Sequence, residues 1–269
     1  MLRSCHMRSH RRSRVRPVAL VALAALSFLS LPSAVRGQEA AALPFAPGER
    51  FTYAGHARMG VSGKGTISVD SPTELRGETI WVLHSDMRGT LGPISAKEQN
   101  ASWLNPATMT SLRYTSSANR LWKRSKDAVD IFTAERRWKG VGGLEGTLVT
   151  EAPLDELSFL FFLRTLALSS DTSLTYSRHF DEARNPTLVR VVGREEVEVG
   201  AGRFHAIVVE MRVRDARRYH GEGVIRVYLS DDQCRLLLRL ESSVPDAGSA
   251  TLGLTAYEGA RGECTARIR

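Results

Sequence analysis

Short segments of alternating apolar and polar residues make up most of the chain after residue 48. Phe51 and Tyr53 fall on one face of the first segment with Thr52 on the other, and Ile67 and Val69 alternate with polar residues later. A period of two places apolar side chains on one face of a β-strand and polar side chains on the other. Gly, Asn and Asp residues at the breaks are typical of tight turns. The pattern predicts on the order of a dozen antiparallel strands.

The clearest predicted hairpin is centred on Gly200-Ala201-Gly202, between two long extended runs. In the second run, apolar residues from Ile207 to Val213 alternate with a face that becomes charged. We expect Gly202 to have a structural role in this turn, because glycine adopts the positive φ angles of tight hairpins without steric cost.

One stretch, Leu154–Leu168, has the pattern of a helix instead. Asp155 is a suitable N-cap and follows Pro153 closely, so we expect it to have a structural role. The stretch has almost no polar face, which requires burial on most sides or a membrane. It is shorter than the roughly 20 apolar residues that span a bilayer, and Arg164 interrupts it. The sequence therefore predicts a mainly β protein, a strongly curved antiparallel sheet or incomplete β-barrel with one buried helix at about 154–168 filling its concave face.

The first 37 residues have the composition of a secretory signal peptide. An arginine-rich segment precedes the apolar run from Val18 to Leu31, and cleavage before Gln38 is expected. An uncleaved membrane anchor is the open alternative. The chain then divides into a signal peptide over 1–37, a linker over 38–47, one β-rich domain over 48–260 and a tail over 261–269. We expect an exported, soluble protein of the periplasm or cell envelope, with no transmembrane segment after signal removal.

The formal charge of +8 comes almost entirely from this leader. Seven of the 37 basic residues lie in it and none of the 29 acidic ones, so the rest of the chain is nearly neutral. The chain has no stripe of basic and aromatic residues, so no nucleic-acid partner is expected. The basic residues of the leader are Arg3, Arg8, Arg11, Arg12, Arg14, Arg16 and Arg36.

Two cysteines follow the leader, Cys234 and Cys264. In an oxidising compartment an even pair indicates a disulfide. Closing a loop of about 30 residues would stabilise the fold by roughly 3–4 kcal/mol. The alternative is a metal site, but no histidine or second cysteine lies at ligand spacing around either residue. No metal and no cofactor are expected.

The common catalytic motifs are missing from the sequence: it has no G-x-S-x-G, no H-E-x-x-H, no phosphate-binding loop and no C-x-x-C. Ser158, His179 and Asp181 supply the residue types of a hydrolase, but a scattered set of this kind exists in any chain of this length. We therefore expect the protein not to be an enzyme. A hydrolase with a non-standard site is the less favoured alternative.

Four residues are candidates for contact with a hydrophobic ligand. Arg164 lies among apolar neighbours and needs a carboxylate or carbonyl partners, because an unpaired buried charge is costly. It either anchors the sheet through an ion pair or holds an anionic headgroup at the mouth of a lipid-sized cavity. Trp81, Trp103 and Phe162 are candidate lining residues, since aromatic side chains often line such cavities. Core packing is the alternative for these three.

The chain combines an L-P-F-x-P-G-E start, a helix with Asp155, Ser158 and Arg164, and Ala201-Gly202-x-Phe204 in its hairpin. These features, and the order of the four segments that contain them, resemble the bacterial exported proteins grouped as DUF3108 over most of residues 43–258. The sequence departs from the family at Cys234 and in its arginine-rich middle. The resemblance implies a fold and an exported location but no reaction, since the function of the family is undefined. The segments are LPFAPGERFTY, PLDELSFLFFLRTLAL, VGREEVEVGAGRFHAIVVE and IRVYLSDDQCRLLLRL.

Together these features predict an exported, non-enzymatic module that binds a lipid, another hydrophobic ligand or an envelope partner protein. A structural scaffold without a ligand is the alternative. An open apolar cavity beside the helix would favour binding, and a solid core would favour a scaffold.

Overall fold

The computed structural model describes residues 43–92, 94–120, 123–215, 220–245, 248–259 and 264–268. These residues belong to one compact unit. The predicted signal peptide over 1–37 lies outside the described residues, as does the predicted linker up to residue 42.

Sixteen strands and one α-helix, α1 Glu156–Arg164, are formed by the described residues. Three single 3₁₀ turns lie at Arg58–Gly60, Val141–Gly143 and Glu182–Arg184. The strands are β1 Arg50–Ala57, β2 Val61–Val69, β3 Thr73–Leu75, β4 Glu78–Leu91, β5 Ile94–Asn105, β6 Thr110–Arg120, β7 Lys123–Phe132, β8 Arg137–Gly140, β9 Glu145–Thr147, β10 Ser173–Tyr176, β11 Thr187–Val199, β12 Gly202–Arg214, β13 Glu222–Ser230, β14 Leu237–Val244, β15 Gly248–Glu258 and β16 Arg267–Ile268.

The strands pair into one large antiparallel sheet. Its order is β10-β11-β12-β13-β14-β15-β1-β2-β4-β5-β6-β7-β8-β9, with β3 added to β4 and β16 added to β12. The two edges, β9 and β10, are consecutive in sequence, and α1 lies on the connection between them. The sheet is not closed into a barrel. The predicted fold class is confirmed: a mainly β protein with an incomplete antiparallel barrel and one buried helix.

The β11–β12 hairpin has the predicted tight turn. Val199 pairs with Gly202, so only Gly200 and Ala201 lie between the strands. Gly202 has a φ of 130°, in the region that favours glycine. A Cβ atom at this position would also lie 3.0 Å from Nε of Arg267, which reaches across from β16. Gly202 therefore suits both the turn and the docking of the C-terminal strand.

A capping box starts α1. The Asp155 carboxylate accepts hydrogen bonds from the backbone N–H groups of Leu157 and Ser158, both at 3.0 Å. The Ser158 hydroxyl in turn accepts from the Asp155 N–H at 2.9 Å. This reciprocal arrangement satisfies donors that a helix N-terminus otherwise leaves unpaired.

The helix ends at Arg164, before the predicted end at Leu168. Thr165 is the C-cap, and its hydroxyl donates to the Phe162 carbonyl at 2.7 Å. Leu168 is nevertheless buried. The apolar pattern beyond Arg164 therefore reflects packing of an irregular segment rather than further helix.

Arg164 and Glu49 form a fully buried ion pair. Nη1 of Arg164 donates to one carboxylate oxygen of Glu49 at 2.5 Å, and Nη2 donates to the other at 2.8 Å. Nη2 also donates to the carbonyls of Pro44 and Cys234, each at 2.9 Å. Burial raises the pKa of Glu49, and the Arg164 guanidinium opposes that shift. The Arg164 side chain thus joins three segments: the residues before β1, the end of α1 and the turn at Cys234.

Three aromatic rings surround the guanidinium of Arg164. Phe45, Phe51 and Phe161 have their ring centroids 5.3–5.5 Å from its central carbon. Cation–π attraction of this kind is strengthened when water is excluded. The L-P-F-x-P-G-E segment therefore supplies both the counter-ion and part of the aromatic cage.

The predicted disulfide between Cys234 and Cys264 is present, with the two Cα atoms 5.3 Å apart. Asp232 organises the turn before it, accepting from the Cys234 N–H at 3.1 Å and from the Ala266 N–H at 2.8 Å. The described C-terminal residues then pair with β12, where Phe204 lies opposite Arg267. The disulfide and this pairing together tie the end of the chain to the sheet. Among the described residues, no helix has the length and apolar character required to cross a bilayer.

Arg164→Leu is expected to lower the free energy of unfolding by about 3–5 kcal/mol, because it leaves the Glu49 carboxylate buried without its partner. The measurement is urea denaturation monitored by tryptophan fluorescence. The double variant Glu49→Leu, Arg164→Leu is the control, and it should recover much of the loss since no buried charge remains. Equal stability of Arg164→Leu and the wild type would contradict the anchoring role.

Cys234→Ser is expected to lower the free energy of unfolding of the oxidised protein by about 3 kcal/mol, since the disulfide restricts the unfolded chain. The control is the same comparison in excess reductant, where wild type and variant should unfold at similar urea concentrations. A stability gap that is identical in both redox states would show that the disulfide does not stabilise the fold.

Candidate ligand cavity

A cavity of about 370 Å³ lies between α1 and the strands β12 to β15. We call it the chain cavity. Most of its wall is apolar, and polar residues at the start of α1, on the 179–187 segment and on β5, β12 and β14 complete the lining. Its size falls within the range of about 300–1,000 Å³ that is usual for small-molecule sites. Its apolar lining residues are Phe159, Leu160, Met211, Val213, Ile225, Leu240, Ala250 and Leu252.

The sheet register explains the apolar floor of the chain cavity. Met211 lies opposite Ile225, and Leu240 lies opposite Leu252. Within a strand the apolar lining positions are two residues apart, as with Met211 and Val213 or Ala250 and Leu252. Alternate residues of a strand point to the same face, so one set of apolar positions on four neighbouring strands forms one continuous surface.

The helix forms the opposite wall. Leu157, Phe161 and Leu163 are buried in the main core, while Phe159 and Leu160 face the cavity. A helix that is apolar nearly all round can pack against the sheet on one side and still present an apolar wall on another.

One end of the chain cavity is polar, and a rigid loop positions two of its residues. Leu154 forms a parallel bridge with His179, and the Phe180 N–H donates to the Leu154 carbonyl at 3.0 Å. The side chain of Asn185 accepts from the His179 N–H and donates to its carbonyl, both at 2.9 Å. These bonds place His179 and Arg184 beside Glu156, the first residue of α1.

Two ion pairs that share Arg184 lie at this polar end, one with Glu156 and one with Asp215. Nη1 of Arg184 bonds to Oε1 of Glu156, and Nη2 lies 3.4 Å from Oδ2 of Asp215. Burial raises the pKa of Glu156, but the Arg184 guanidinium and the His179 imidazole together hold it well below its usual value. For Arg184, burial lowers the pKa, and the carboxylates of Glu156 and Asp215 outweigh that effect and raise it. Both partners are therefore charged at neutral pH.

Three buried atoms at the polar end have no hydrogen-bond partner among the described residues: Oε2 of Glu156, Nε2 of His179 and Nε of Arg184. Nε2 of His179 and Oε2 of Glu156 are 3.8 Å apart, too far for a hydrogen bond. Buried polar groups without partners are costly and uncommon, so a cluster of them indicates a place where a further polar group is accommodated.

A second cavity, of about 460 Å³, adjoins the first. We call it the head cavity. Glu98, Glu156 and Arg184 line both cavities, so the two meet at the N-terminus of α1. The head cavity combines aromatic residues with hydroxyl and carboxylate groups. These residues are Tyr114, Trp138 and Phe180, and Ser116, Ser125 and Asp127.

A buried network of hydroxyl groups holds the N-terminus of α1 on the sheet. Ser102 of β5 donates to Oδ2 of Asp155 at 2.5 Å, and Ser111 of β6 lies 2.7 Å from the Ser158 hydroxyl. Burial raises the pKa of Asp155, and the bonds from Ser102 and Ser158 oppose that shift. The network fixes the helix end at which the two cavities meet.

Residues 50–255 match the family model DUF3108, which is described as a protein of unknown function. The chain belongs to the DUF3108 family. A search of curated proteins finds no significant match.

One solved structure supports the fold of this DUF3108 protein, and two others are weaker matches. A β-barrel-like protein of the DUF1849 family from Brucella abortus is 12% identical, with a TM-score of 0.51, covering 81% of this chain and 99% of that one. A candidate lipoprotein from Parabacteroides distasonis is 11% identical with a TM-score of 0.31, covering 80% and 98%. A candidate exported protein with a YmcC-like fold from Bacteroides fragilis is 11% identical with a TM-score of 0.32, covering 80% and 98%. The first likeness supports the fold alone, and the other two carry no structural argument.

The four predicted ligand residues lie elsewhere in this DUF3108 protein. Arg164 is committed to the buried ion pair with Glu49, which was the alternative considered for it. Trp81 packs edge-on against Phe45, and Trp103 lies beside the Arg113 guanidinium. Phe162 packs against Phe159, Tyr176 and Arg178. None of the four lines the chain cavity or the head cavity, so the site proposed below is built from other residues.

Sequence reasoning missed most of the residues that line the two cavities. The alternation at Met211 and Val213 indicated a buried face, but not whether that face meets a core or a cavity. His179 and Asp181, two of the residues that supply the residue types of a hydrolase, are in contact, since Nδ1 of His179 accepts a hydrogen bond from the Asp181 N–H at 3.0 Å. The described residues contain no group of three or more metal-ligating side chains.

Glu156→Gln is expected to lower the free energy of unfolding at pH 7, and the gap from wild type should close in acid. A carboxylate whose pKa is lower in the folded state stabilises the fold above its unfolded pKa, here about 4.5. That contribution is lost as the pH falls through the lowered folded pKa. Urea denaturation between pH 7 and pH 3 measures it.

Glu151→Gln is the matched control, because the Glu151 side chain is 91% exposed. Exposed ion pairs contribute little, so this variant should follow the wild type at every pH. If the stability difference between Glu156→Gln and the wild type stayed constant from pH 7 to pH 3, it would contradict the ion pairing of Glu156 with Arg184.

Proposed function

We propose that this protein is an exported binding module that holds one hydrophobic chain, such as an acyl chain, in the chain cavity between α1 and β12 to β15. The observation that carries the proposal is the continuous apolar floor. Four neighbouring strands contribute to it, and Phe159 and Leu160 of α1 face it. Apolar walls with a small number of polar groups are the usual design of small-molecule sites.

Packing supports binding over a scaffold role. Protein interiors are as closely packed as organic crystals, and empty apolar space costs stability. A protein with only a structural role gains by filling such space. Here Leu160, Ile225, Leu240 and Leu252 are only partly buried around the chain cavity. Burial of these side chains against a ligand would add a favourable hydrophobic contribution.

The disulfide supports the exported location. Such bonds form and persist in oxidising compartments such as the periplasm and are rare in the cytosol. The Cys234–Cys264 bond links the β13–β14 turn to the end of the chain. It is therefore suited to a protein that folds after export.

Leu240→Trp is expected to weaken binding of the fluorescent probe 1-N-phenylnaphthylamine on the order of tenfold or more, because the indole occupies the chain cavity. Palmitate should displace the probe from the wild type. The measurement is a fluorescence titration, with circular dichroism to confirm folding.

Leu174→Trp is the matched control, since Leu174 is 40% exposed on β10 and does not line the chain cavity. It should bind the probe as the wild type does. Equal binding by Leu240→Trp would place the ligand elsewhere, and a wild type that binds neither compound would favour a scaffold.

A further inference from the structure

The two cavities meet at the start of α1, where Glu98, Glu156 and Arg184 line both of them. The walls differ in chemistry, since the chain cavity is mainly apolar and the head cavity mixes aromatic rings with hydroxyl and carboxylate groups. A ligand that matches both walls has one apolar end and one polar end.

The head cavity has walls suited to a group with several hydroxyls. Trp138 and Phe180 form an edge-to-face pair with ring centroids 5.6 Å apart. Ser116, Ser125 and Asp127 line the same space. Aromatic faces pack against the C–H faces of a polyol or sugar, while hydroxyl and carboxylate groups bond to its hydroxyls.

The hydrogen-bonding groups at the junction between the cavities also favour a ligand hydroxyl. In the neutral imidazole of His179, Nδ1 accepts from the Asp181 N–H, so the ring proton lies on Nε2, which is a donor. Nε of Arg184 is a second donor, and Oε2 of Glu156 is an acceptor. A hydroxyl group both accepts and donates, so one hydroxyl can satisfy groups of both kinds.

Charged headgroups fit this junction less well. A carboxylate or phosphate would be repelled by the ionised Glu156, and an ammonium group would meet the N–H donors of His179 and Arg184. The guanidinium of Arg184 is already paired with Glu156 and Asp215. The Arg184 guanidinium is therefore not free to bind an anionic headgroup.

We propose that the ligand is a single-chain amphiphile with an uncharged headgroup that carries hydroxyls. Its chain lies in the chain cavity, its headgroup lies in the head cavity, and a hydroxyl bonds at the Glu156–His179–Arg184 junction. This inference rests on the proposed function and specifies the class of ligand.

Four probes with matched twelve-carbon chains test the inference by displacing 1-N-phenylnaphthylamine: 1-monolauroylglycerol, methyl laurate, laurate and dodecylamine. The wild type should bind 1-monolauroylglycerol roughly tenfold more tightly than the other three. Equal affinity for all four would overturn the headgroup assignment while leaving chain binding intact, and tightest binding of laurate or dodecylamine would also overturn it. Failure of every probe to bind would instead refute the proposed function.

Two variants locate the preference. Ala118→Trp fills the head cavity, and Glu156→Gln replaces one of the two carboxylate acceptor oxygens at the junction with an amide donor. Each should lower the affinity for 1-monolauroylglycerol toward that for methyl laurate. Ser117→Trp is the matched control, because Ser117 is next to Ala118 on β6 but does not line the head cavity. A preference that survives both Ala118→Trp and Glu156→Gln would place the headgroup elsewhere.

Discussion

The buried ion pair between Glu49 and Arg164 is the contact on which the rest of the fold depends. It brings together residues 115 positions apart and also bonds to the carbonyl of Cys234. Three chain segments therefore meet at one guanidinium: the segment before β1, the end of α1 and the turn closed by the disulfide. Because the pair is fully desolvated, loss of Arg164 would leave the Glu49 carboxylate buried without its counter-ion.

This anchoring determines where α1 lies, and the position of α1 creates the chain cavity. Arg164 fixes one end of the helix, while Asp155 and Ser158 fix the other through Ser102 and Ser111. Held at both ends against β4 and β5, the helix leaves Phe159 and Leu160 facing the more distant strands β12 to β15. The space between them is the chain cavity. A rigid helix thus supports a preformed site rather than one that a ligand must create.

Local patterns in the sequence were sufficient to predict the fold class, the capping residue Asp155, the Gly202 turn and the Cys234–Cys264 disulfide. Each depends on nearby residues or on a pairing with few alternatives. The partner of Arg164 could not be predicted, because it depends on which strands become neighbours. Apolar alternation is likewise the same for Val209 and Met211, which both belong to the buried core, although only Met211 also lines the chain cavity. Which of them meets the cavity is a property of the assembled fold.

The most direct measurement is native mass spectrometry of the protein purified from its own or a related host, with extraction of bound lipid alongside. We expect a mass above that of the polypeptide, lost on extraction, that corresponds to one uncharged single-chain amphiphile. A clean polypeptide mass, together with no uptake of added amphiphile, would contradict this expectation. The interior beside α1 would then serve the architecture of the protein and not a ligand.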